Sequence, residues 1–302
     1  MGRICPVVPS RAVLLSRPDA TSGRTRSAVS DGAVTDDVIE SGVGVAVDDR
    51  GVGRLTISRP ERMNALDTGA TVAIIDTLAA WSARDDIRAV VIDGAGGSFS
   101  TGADVISIAE NAAKNAASGT SGLTSEQARQ TISAGSELAR AVRGVPVPVI
   151  ASVDGAAVGI GASLAFASDL VYVTSRSYFL LAFINIGLMP DGAASMSAAV
   201  SVGRARANAM ALLGEKLRAA DAFTAGLVTA VVDDREALDA VVDKAAGKIA
   251  SSSPAAMRLT KSALDAHTMA GFEAALEREL DGQTELLQSP EFQAALAAFT
   301  GG

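Results

Sequence analysis

The sequence predicts an α/β fold with a mostly parallel sheet, followed by a helical C-terminal region. Three stretches rich in β-branched residues, AVVIDGAGG, PVPVIASV and LVYVTS, indicate buried strands, and helical segments separate them. Strands that alternate with helices are typical of parallel pairing. Beyond Asp233 the chain is rich in alanine, keeps a helical period and has almost no strand signal. We therefore predict an α/β core over residues 41–233 and a helical region over residues 234–302.

The N-terminal segment differs in composition from the rest of the chain. Its first thirty residues contain five arginines, three prolines and a single acid. The prolines interrupt any long amphipathic helix, and no continuous apolar stretch marks a secretory signal. We predict a disordered extension over residues 1–40, or sequence upstream of the true start, with a transit-like leader as the alternative. A cytoplasmic location is expected.

The core elements follow in order from residue 43. The stretch VGVAVDDRGVGRLTIS alternates apolar and polar residues around Asp49-Arg50-Gly51, which predicts a β-hairpin that ends before Pro60. Apolar residues at helical spacing then predict a helix over 68–82. The strand AVVIDGAGG and the segment PVPVIASVDGAAVGIG each run into a glycine turn, and LVYVTS is the third strand. The stretch over 111–125, rich in small and polar residues, is predicted to be a mobile cover.

Composition excludes several classes of function. The chain has 302 residues, 48% of them hydrophobic, and a net charge of −8, so it offers no basic surface for a nucleic acid. A single cysteine, Cys5, excludes an intrachain disulfide, and a single histidine, His267, argues against a metal cage. The uncharged stretches 155–168 and 177–190 are shorter than the roughly 20 residues that a membrane span requires. Carboxylates, hydroxyls or backbone amides must therefore carry the chemistry, and we expect no metal.

Two glycine turns, GAGGSFSTG at 94–102 and GAAVGIGASLA at 155–165, each follow a strand and precede a predicted helix. Neither fits the dinucleotide fingerprint, because Phe99 and Leu164 occupy the position of its third glycine, and no nucleoside-triphosphate loop is present. Such turns can direct unpaired backbone N–H groups at one point, as in an oxyanion hole. Alternatively, the glycines only allow helices to pack closely on strands.

Five ordered blocks carry a more specific signal, which extends over roughly residues 43–300. They are RPERMNAL at 59–66, GAGGSFSTGADV at 94–105, DGAAVGIGASLAFASDL at 154–170, IGLMPDGA at 186–193 and the stretch over 202–232. Together they resemble the crotonase family of enoyl-CoA hydratases and isomerases. The resemblance implies a spiral of ββα turns with a C-terminal helical trimerisation region, and a homotrimer or a dimer of trimers. It also implies an acyl-CoA thioester as substrate and no separate cofactor, because coenzyme A is part of the substrate.

The resemblance also implies a site. The thioester carbonyl would lie between the backbone N–H groups of Ala103 and Ile160, although many members have glycine where Ile160 stands. Two departures concern coenzyme A: Glu61 occupies the usual place of a basic residue, and a C-terminal lysine is absent. Lys261 is either a contact to coenzyme A or part of a solvated helix face. The implied substrate-binding residues are Arg62, Ala65, Leu66, Thr101, Gly102, Gly159 and Phe183.

The acidic residues distinguish the possible reactions. Hydration requires two acidic groups, and the positions of the family's two glutamates are Ser163 and Phe183 here. Asp191 matches a position where some isomerases of the family carry an aspartate, and one carboxylate suffices for a double-bond shift. An isomerase with Asp191 as its base is therefore the leading hypothesis. The alternative for Asp191 is a structural N-cap of the helix that follows it.

Two other functions stay open. One is a 2-enoyl-CoA hydratase that uses an acid outside the family positions, such as Glu110 or Glu126. The other is a non-catalytic acyl-CoA-binding protein. Asp104 and Asp169 lie beside turns, where aspartate most often caps a helix or forms the turn itself.

Overall fold

A seven-stranded sheet and a three-stranded sheet organise the fold in the computed structural model, which describes residues 37–39, 41–117 and 122–300. In the large sheet the β1–β2 and β2–β3 pairs are antiparallel, and the other neighbours are parallel. The predicted hairpin and the mostly parallel sheet are confirmed. The strands are β1 Asp37–Ile39, β2 Val43–Val47, β3 Val52–Ile57, β4 Ala89–Gly94, β5 Val149–Val153, β6 Ala156–Val158, β7 Leu170–Thr174, β8 Tyr178–Leu180, β9 Leu217–Arg218 and β10 Ala230–Val232.

Strand β1 lies inside the predicted N-terminal extension. Residues 37–39 pair with β2, so the sheet begins six residues before Val43, where order was predicted to start. The alternating hairpin pattern did not include this strand, because three residues are too few to carry a period. Residues 1–36 and 40 lie outside the described residues.

Two layers of strands produce the ββα turns. The large sheet is ordered β1-β2-β3-β4-β5-β7-β10, and the small sheet is ordered β6-β8-β9. After β5 and β7 the chain adds β6 and β8 to the small sheet, and the bridge between Ser100 and Ala157 continues this pattern after β4. Each glycine turn therefore lies where the chain passes from the large sheet to the small one.

Helices cover the sheets and form the C-terminal region, as predicted. The α1 helix is capped by Asp67, which accepts from the Ala70 N–H at 2.8 Å. It buries Trp81 against Gly53 of β3. The helices are α1 Thr68–Ser82, α2 Val105–Ala117, α3 Ser125–Gly144, α4 Ile160–Ala167, α5 Ala194–Val202, α6 Arg204–Leu213, α7 Ala219–Ala225, α8 Arg235–Ala250, α9 Pro254–Thr268, α10 Phe272–Leu286 and α11 Pro290–Thr300, with 3-10 helices at Pro60–Arg62 and Ala182–Ile186.

The C-terminal helices pack on the core. Helix α10 packs against α3 and α5, and α11 packs against α2 and the second 3-10 helix. The domain boundary between residues 233 and 234 stays a prediction. Across the described part of the chain, none of the helices combines the length and the apolar character needed to cross a membrane.

Candidate active site

One cavity of about 870 Å³ contains the predicted site residues. It lies between α2, α3, the two glycine turns and the C-terminal helices. Gly102 is buried and is the one predicted residue that does not line the cavity. The residues that do line it are Arg62, Ala65, Leu66, Thr101, Ala103, Gly159, Ile160, Phe183 and Asp191.

The segment RPERMNAL is held against the first glycine turn by Asn64. This side chain is fully buried, accepts from the Arg59 N–H at 2.9 Å, and donates to the carbonyls of Ala95 and Ser98 at 2.8 and 2.7 Å. Beyond it, the Leu66 N–H donates to the Gly102 carbonyl at 2.7 Å, and Leu66 in turn accepts from the Asp104 N–H at 2.9 Å. These bonds fix the backbone on both sides of Ala103.

The two glycine turns meet at Gly102. Its φ of +91° is one that residues with a side chain rarely adopt. A Cβ at this position would lie 2.7 Å from the Val158 carbonyl oxygen and 3.3 Å from the Ile160 nitrogen. The absence of a side chain therefore allows the backbone of Ala103 to approach the first turn of α4.

The backbone N–H groups of Ala103 and Ile160 have no acceptor among the described residues. Ile160 is the first residue of α4, where the N–H has no carbonyl partner one turn earlier. A helix N-terminus also favours negative charge. Both residues line the cavity, so this pair of amides can donate to an oxygen atom that carries developing charge.

The Ile160 side chain does not fill the space between the amides. Its Cδ1 atom lies 3.4 Å from the Cβ position of Gly135 on α3 and 2.5 Å from that of Gly192. Glycine at these two positions makes room for an isoleucine where many crotonases have glycine. The side chain therefore packs between α3 and the turn that follows Asp191.

Asp191 is buried, with 8% of its surface exposed, and it lines the same cavity. Its Oδ2 accepts from the Gln283 Nε2 at 3.3 Å, whereas its Oδ1 has no partner among the described residues. The pKa of Asp191 is raised to about 7, chiefly by burial and also by the negative charge of Glu279, while the Gln283 hydrogen bond opposes both effects. A carboxyl with this pKa can both accept and return a proton near neutral pH.

The N-cap alternative for Asp191 is wrong. Helix α5 begins at Ala194 without a side-chain cap from the residues that precede it. Glu279 of α10 takes this role instead, because it accepts from the Ala193 N–H at 2.6 Å and from the Ser195 N–H at 3.0 Å. The carboxylate of Asp191 therefore makes no capping bond to α5.

The two positions that hold glutamates in the family's hydratases supply no acid. Ser163 is buried, and its hydroxyl donates to the Asp191 carbonyl at 2.8 Å, so it ties α4 to the segment that carries Asp191. Phe183 lies on the second 3-10 helix, with its ring 3.8 Å from the Cβ position of Gly159. Of the other acids predicted, Glu110 and Glu126 are exposed and do not line the cavity.

Several polar side chains outside the cavity chemistry are structural. Asp104 accepts from the Ser107 N–H at 3.3 Å at the start of α2 and pairs with Arg59. Asp169 pairs with Arg143 and Lys261. Neither prediction for Lys261 holds, because its ammonium is buried and bonds to Asp169 and to the Val147 carbonyl. The predicted cover is helical as far as Ala117, and residues 118–121 lie outside the described residues.

The family profile described as enoyl-CoA hydratase/isomerase matches residues 48–301. The chain belongs to the enoyl-CoA hydratase/isomerase family. A protein of Rhodobacter capsulatus named "probable enoyl-CoA hydratase" is 35% identical over 250 residues, which are 82% of this chain and 91% of that protein. The 1,2-epoxyphenylacetyl-CoA isomerase of Escherichia coli K12 is 30% identical and covers 83% of this chain and 92% of its own.

Solved structures of this hydratase/isomerase family share the fold. An enoyl-CoA hydratase from Mycobacterium avium subsp. paratuberculosis K-10 is 38% identical, with a TM-score of 0.75 over 86% of this chain and 96% of that one. The crotonase fold predicted from the five sequence blocks is therefore confirmed. The relatives carry both hydratase and isomerase names, so membership of the family does not by itself assign the reaction.

Sequence reasoning missed two members of this family site, Glu279 and Gln283. Both are fully buried on α10, one helical turn apart, on the face that also buries Phe272 and Leu276. The available signal was the helical period itself, because two polar residues interrupt an otherwise apolar face. A buried polar residue on such a face needs a partner from another element.

Proposed function

We propose that this protein is an enoyl-CoA isomerase that moves a double bond of an enoyl-CoA thioester. The observation that carries the proposal is the buried carboxyl of Asp191, whose Oδ1 has no partner among the described residues, in a residue that lines the same cavity as Ala103 and Ile160. The other carboxylates that line this cavity are unsuited to the role. Asp67 and Asp104 are bonded to Arg59 and to helix N-termini, and Glu61 is exposed.

The reaction needs only these groups. The thioester oxygen of a 3-enoyl-CoA accepts from the Ala103 and Ile160 N–H groups, and the Asp191 carboxylate removes a proton from C2. The electron pair of that C–H bond forms a C1–C2 double bond while the carbonyl π electrons move to the thioester oxygen, which gives a dienolate that still holds its C3–C4 double bond. Asp191 then returns the proton to C4, and the 3-enoyl double bond becomes a 2-enoyl double bond. When C4 takes the proton, the C3–C4 π electrons form the new C–H bond, the C1–C2 pair moves to C2–C3, and the thioester carbonyl is restored. Each amide donor contributes about 3–4 kcal/mol of transition-state stabilisation in comparable sites.

Hydration is less well supported by the same residues. Addition of water across a 2-enoyl-CoA needs one group to deprotonate water and a second to protonate C2. Ser163 and Phe183 cannot serve as this pair at neutral pH.

Coenzyme A would be held by the segment that Asn64 orders. We assign the adenine contacts to the backbone of Ala65, Leu66 and Thr101 and a phosphate contact to Arg62, which is exposed at the cavity. Coenzyme A then enters as part of the substrate, and no further cofactor is required. The trimeric assembly and the cytoplasmic location stay predictions from the sequence.

Product analysis tests the proposal. We expect a 3-enoyl-CoA to give the 2-enoyl isomer, and crotonyl-CoA to give no 3-hydroxyacyl product at a comparable rate. Hydration of crotonyl-CoA that disappears in Glu110→Gln or Glu126→Gln would assign the hydratase alternative instead. Calorimetric binding of a panel of acyl-CoAs without turnover of any would assign the non-catalytic alternative.

A further inference from the structure

Two side chains of α10 hold the segment that carries Asp191. Both Glu279 oxygens accept backbone N–H groups, from Ala193 at 2.6 Å and from Ser195 at 3.0 Å. One turn later, the Gln283 amide accepts from the Met189 N–H at 3.4 Å and donates to the Asp191 Oδ2 at 3.3 Å. The Glu279–Gln283 pair therefore contacts the chain on both sides of Asp191 and the carboxylate itself.

The backbone beside Asp191 needs such support. Ala193 has a φ of +62°, a left-handed conformation that is unfavourable for a residue with a side chain. Gly192, directly before it, has a φ of +63°. The bond from the Ala193 N–H to Glu279 fixes this turn and thereby the direction of the Asp191 side chain.

A structural cap alone does not explain a glutamate at this position. Glu279 is fully buried, and among the described residues no cation lies within ion-pair distance of it. Burial of a carboxylate without a cation is costly, and neutral side chains also cap helices. The charge of Glu279 has an electrostatic effect on its neighbour, because a like charge favours the protonated form of Asp191.

We infer that Glu279 and Gln283 are positioning residues for proton transfer by Asp191. Gln283 holds one carboxylate oxygen and leaves the other without a partner among the described residues, and Glu279 holds the turn and supplies the neighbouring negative charge. This inference rests on the proposed function, because it assigns the two residues to the carboxylate that moves the proton.

Few other charges act on this pair of carboxyl groups. Helices α4 and α5 carry no charged side chain. On α3, Arg129 and Arg140 form exposed ion pairs with Asp281 and Glu273 of α10. Arg278, on α10 itself, acts on Glu279 from an exposed position. Changes at residues 279 and 283 should therefore dominate the titration of Asp191.

The test uses two variants with opposite expected shifts. Glu279→Gln removes the negative charge, so the pKa that governs kcat/KM should fall by roughly one unit. Gln283→Met removes a hydrogen bond to the ionised form, so the same pKa should rise. Both should lower kcat about tenfold with KM within about threefold, because each misplaces the base and not the substrate. Glu277→Gln, which removes an exposed charge from the same helix, should change neither value.

A measurement without substrate separates this inference from the proposed function. In protein labelled with ¹³Cγ aspartate, the signal absent from Asp191→Asn identifies Asp191, and its titration gives the pKa in every variant. Opposite shifts in Glu279→Gln and Gln283→Met would show that these two residues control the carboxyl of Asp191, whichever reaction the site performs. Isomerase activity retained in Asp191→Asn would instead reject the proposed function and, with it, the proton-transfer part of the inference, while the control of the Asp191 pKa would stand. Unchanged titrations, or shifts in the same direction, would overturn the inference. If Glu279→Gln does not fold, Gln283→Met carries the test, because it removes neither a charge nor the cap of α5.

Discussion

Replacement of Asp191 by asparagine is expected to lower kcat for 3-enoyl-CoA isomerisation by about 10³-fold. A positioned acid or base contributes roughly 10²–10⁴-fold, and in this site one carboxylate performs both proton transfers. Asparagine keeps the shape of the side chain and can still accept from Gln283, so substrate binding should change little. The measurement is a steady-state assay of wild type and Asp191→Asn at pH 8, where the wild-type carboxyl is mostly ionised.

The same variant should be more stable than wild type, and the difference should depend on pH. The folded pKa of Asp191, about 7, lies above its ordinary value of 3.8, so the folded protein holds a proton that the unfolded chain has released. The contribution of Asp191 to the free energy of unfolding therefore falls as pH rises from about 4 to 7, by up to about 4 kcal/mol, and is level above that range.

The free energy of unfolding of Asp191→Asn lacks this pH-dependent contribution, because asparagine does not titrate. The variant's advantage in stability should thus be absent at pH 4 and full at pH 8, as measured by denaturant or thermal unfolding. An inactive variant that is less stable at pH 8 would point to misfolding and not to loss of the base. Wild-type activity in a folded Asp191→Asn would contradict the role of Asp191.

The second large effect is expected at Gly102. An alanine there would be strained at a φ of +91° and would place its Cβ 2.7 Å from the Val158 carbonyl oxygen and 3.3 Å from the Ile160 nitrogen. The two turns would have to separate, which would move the amides of Ala103 and Ile160 relative to each other. Because loss of one oxyanion donor costs about 10²–10³-fold, kcat should fall at least about 10²-fold.

Gly203→Ala is the matched control. Gly203 also has a positive φ, of +76°, but among the described residues no atom lies within 4 Å of its Cβ position. This variant therefore also carries the backbone strain of a side chain at a positive φ, about 1–3 kcal/mol, but without a clash at the site. Gly203→Ala should keep wild-type kcat, whereas Gly102→Ala should lose it. An equal effect of both variants on kcat would show that backbone strain, and not the geometry of the amides, explains the loss.

The hairpin and the two glycine turns were predictable because short-range sequence patterns determine them. The alternation around Asp49-Arg50-Gly51 predicted the hairpin, and the glycines after β4 and β5 predicted turns there. In both cases the residues that determine the structure lie within about ten positions of one another, where period and turn chemistry operate. Ala103, Ile160 and Asp191 were named from the resemblance to the crotonase family and not from a local pattern.

The residues that decide between the alternatives were not predictable in this way. Asp191 does not cap α5, because Glu279 accepts the backbone N–H of Ala193 at the start of that helix. Ala193 and Glu279 lie 86 positions apart in the sequence. Lys261 is buried because α9 brings it to Asp169, 92 positions away. Such pairings depend on how the helices pack. The helical period predicts which face of a helix is buried, but it does not predict which residues of other elements pack against that face.

A label-transfer experiment tests the central claim most directly. A 3-enoyl-CoA with deuterium at C2 is converted in ordinary water, and the product is analysed by mass spectrometry and NMR. If one buried carboxyl removes the proton from C2 and returns it to C4, part of the deuterium should appear at C4 of the 2-enoyl product, and Asp191→Asn should form little product. A 3-hydroxyacyl-CoA as the main product, or equal isomerisation by Asp191→Asn, would contradict the account.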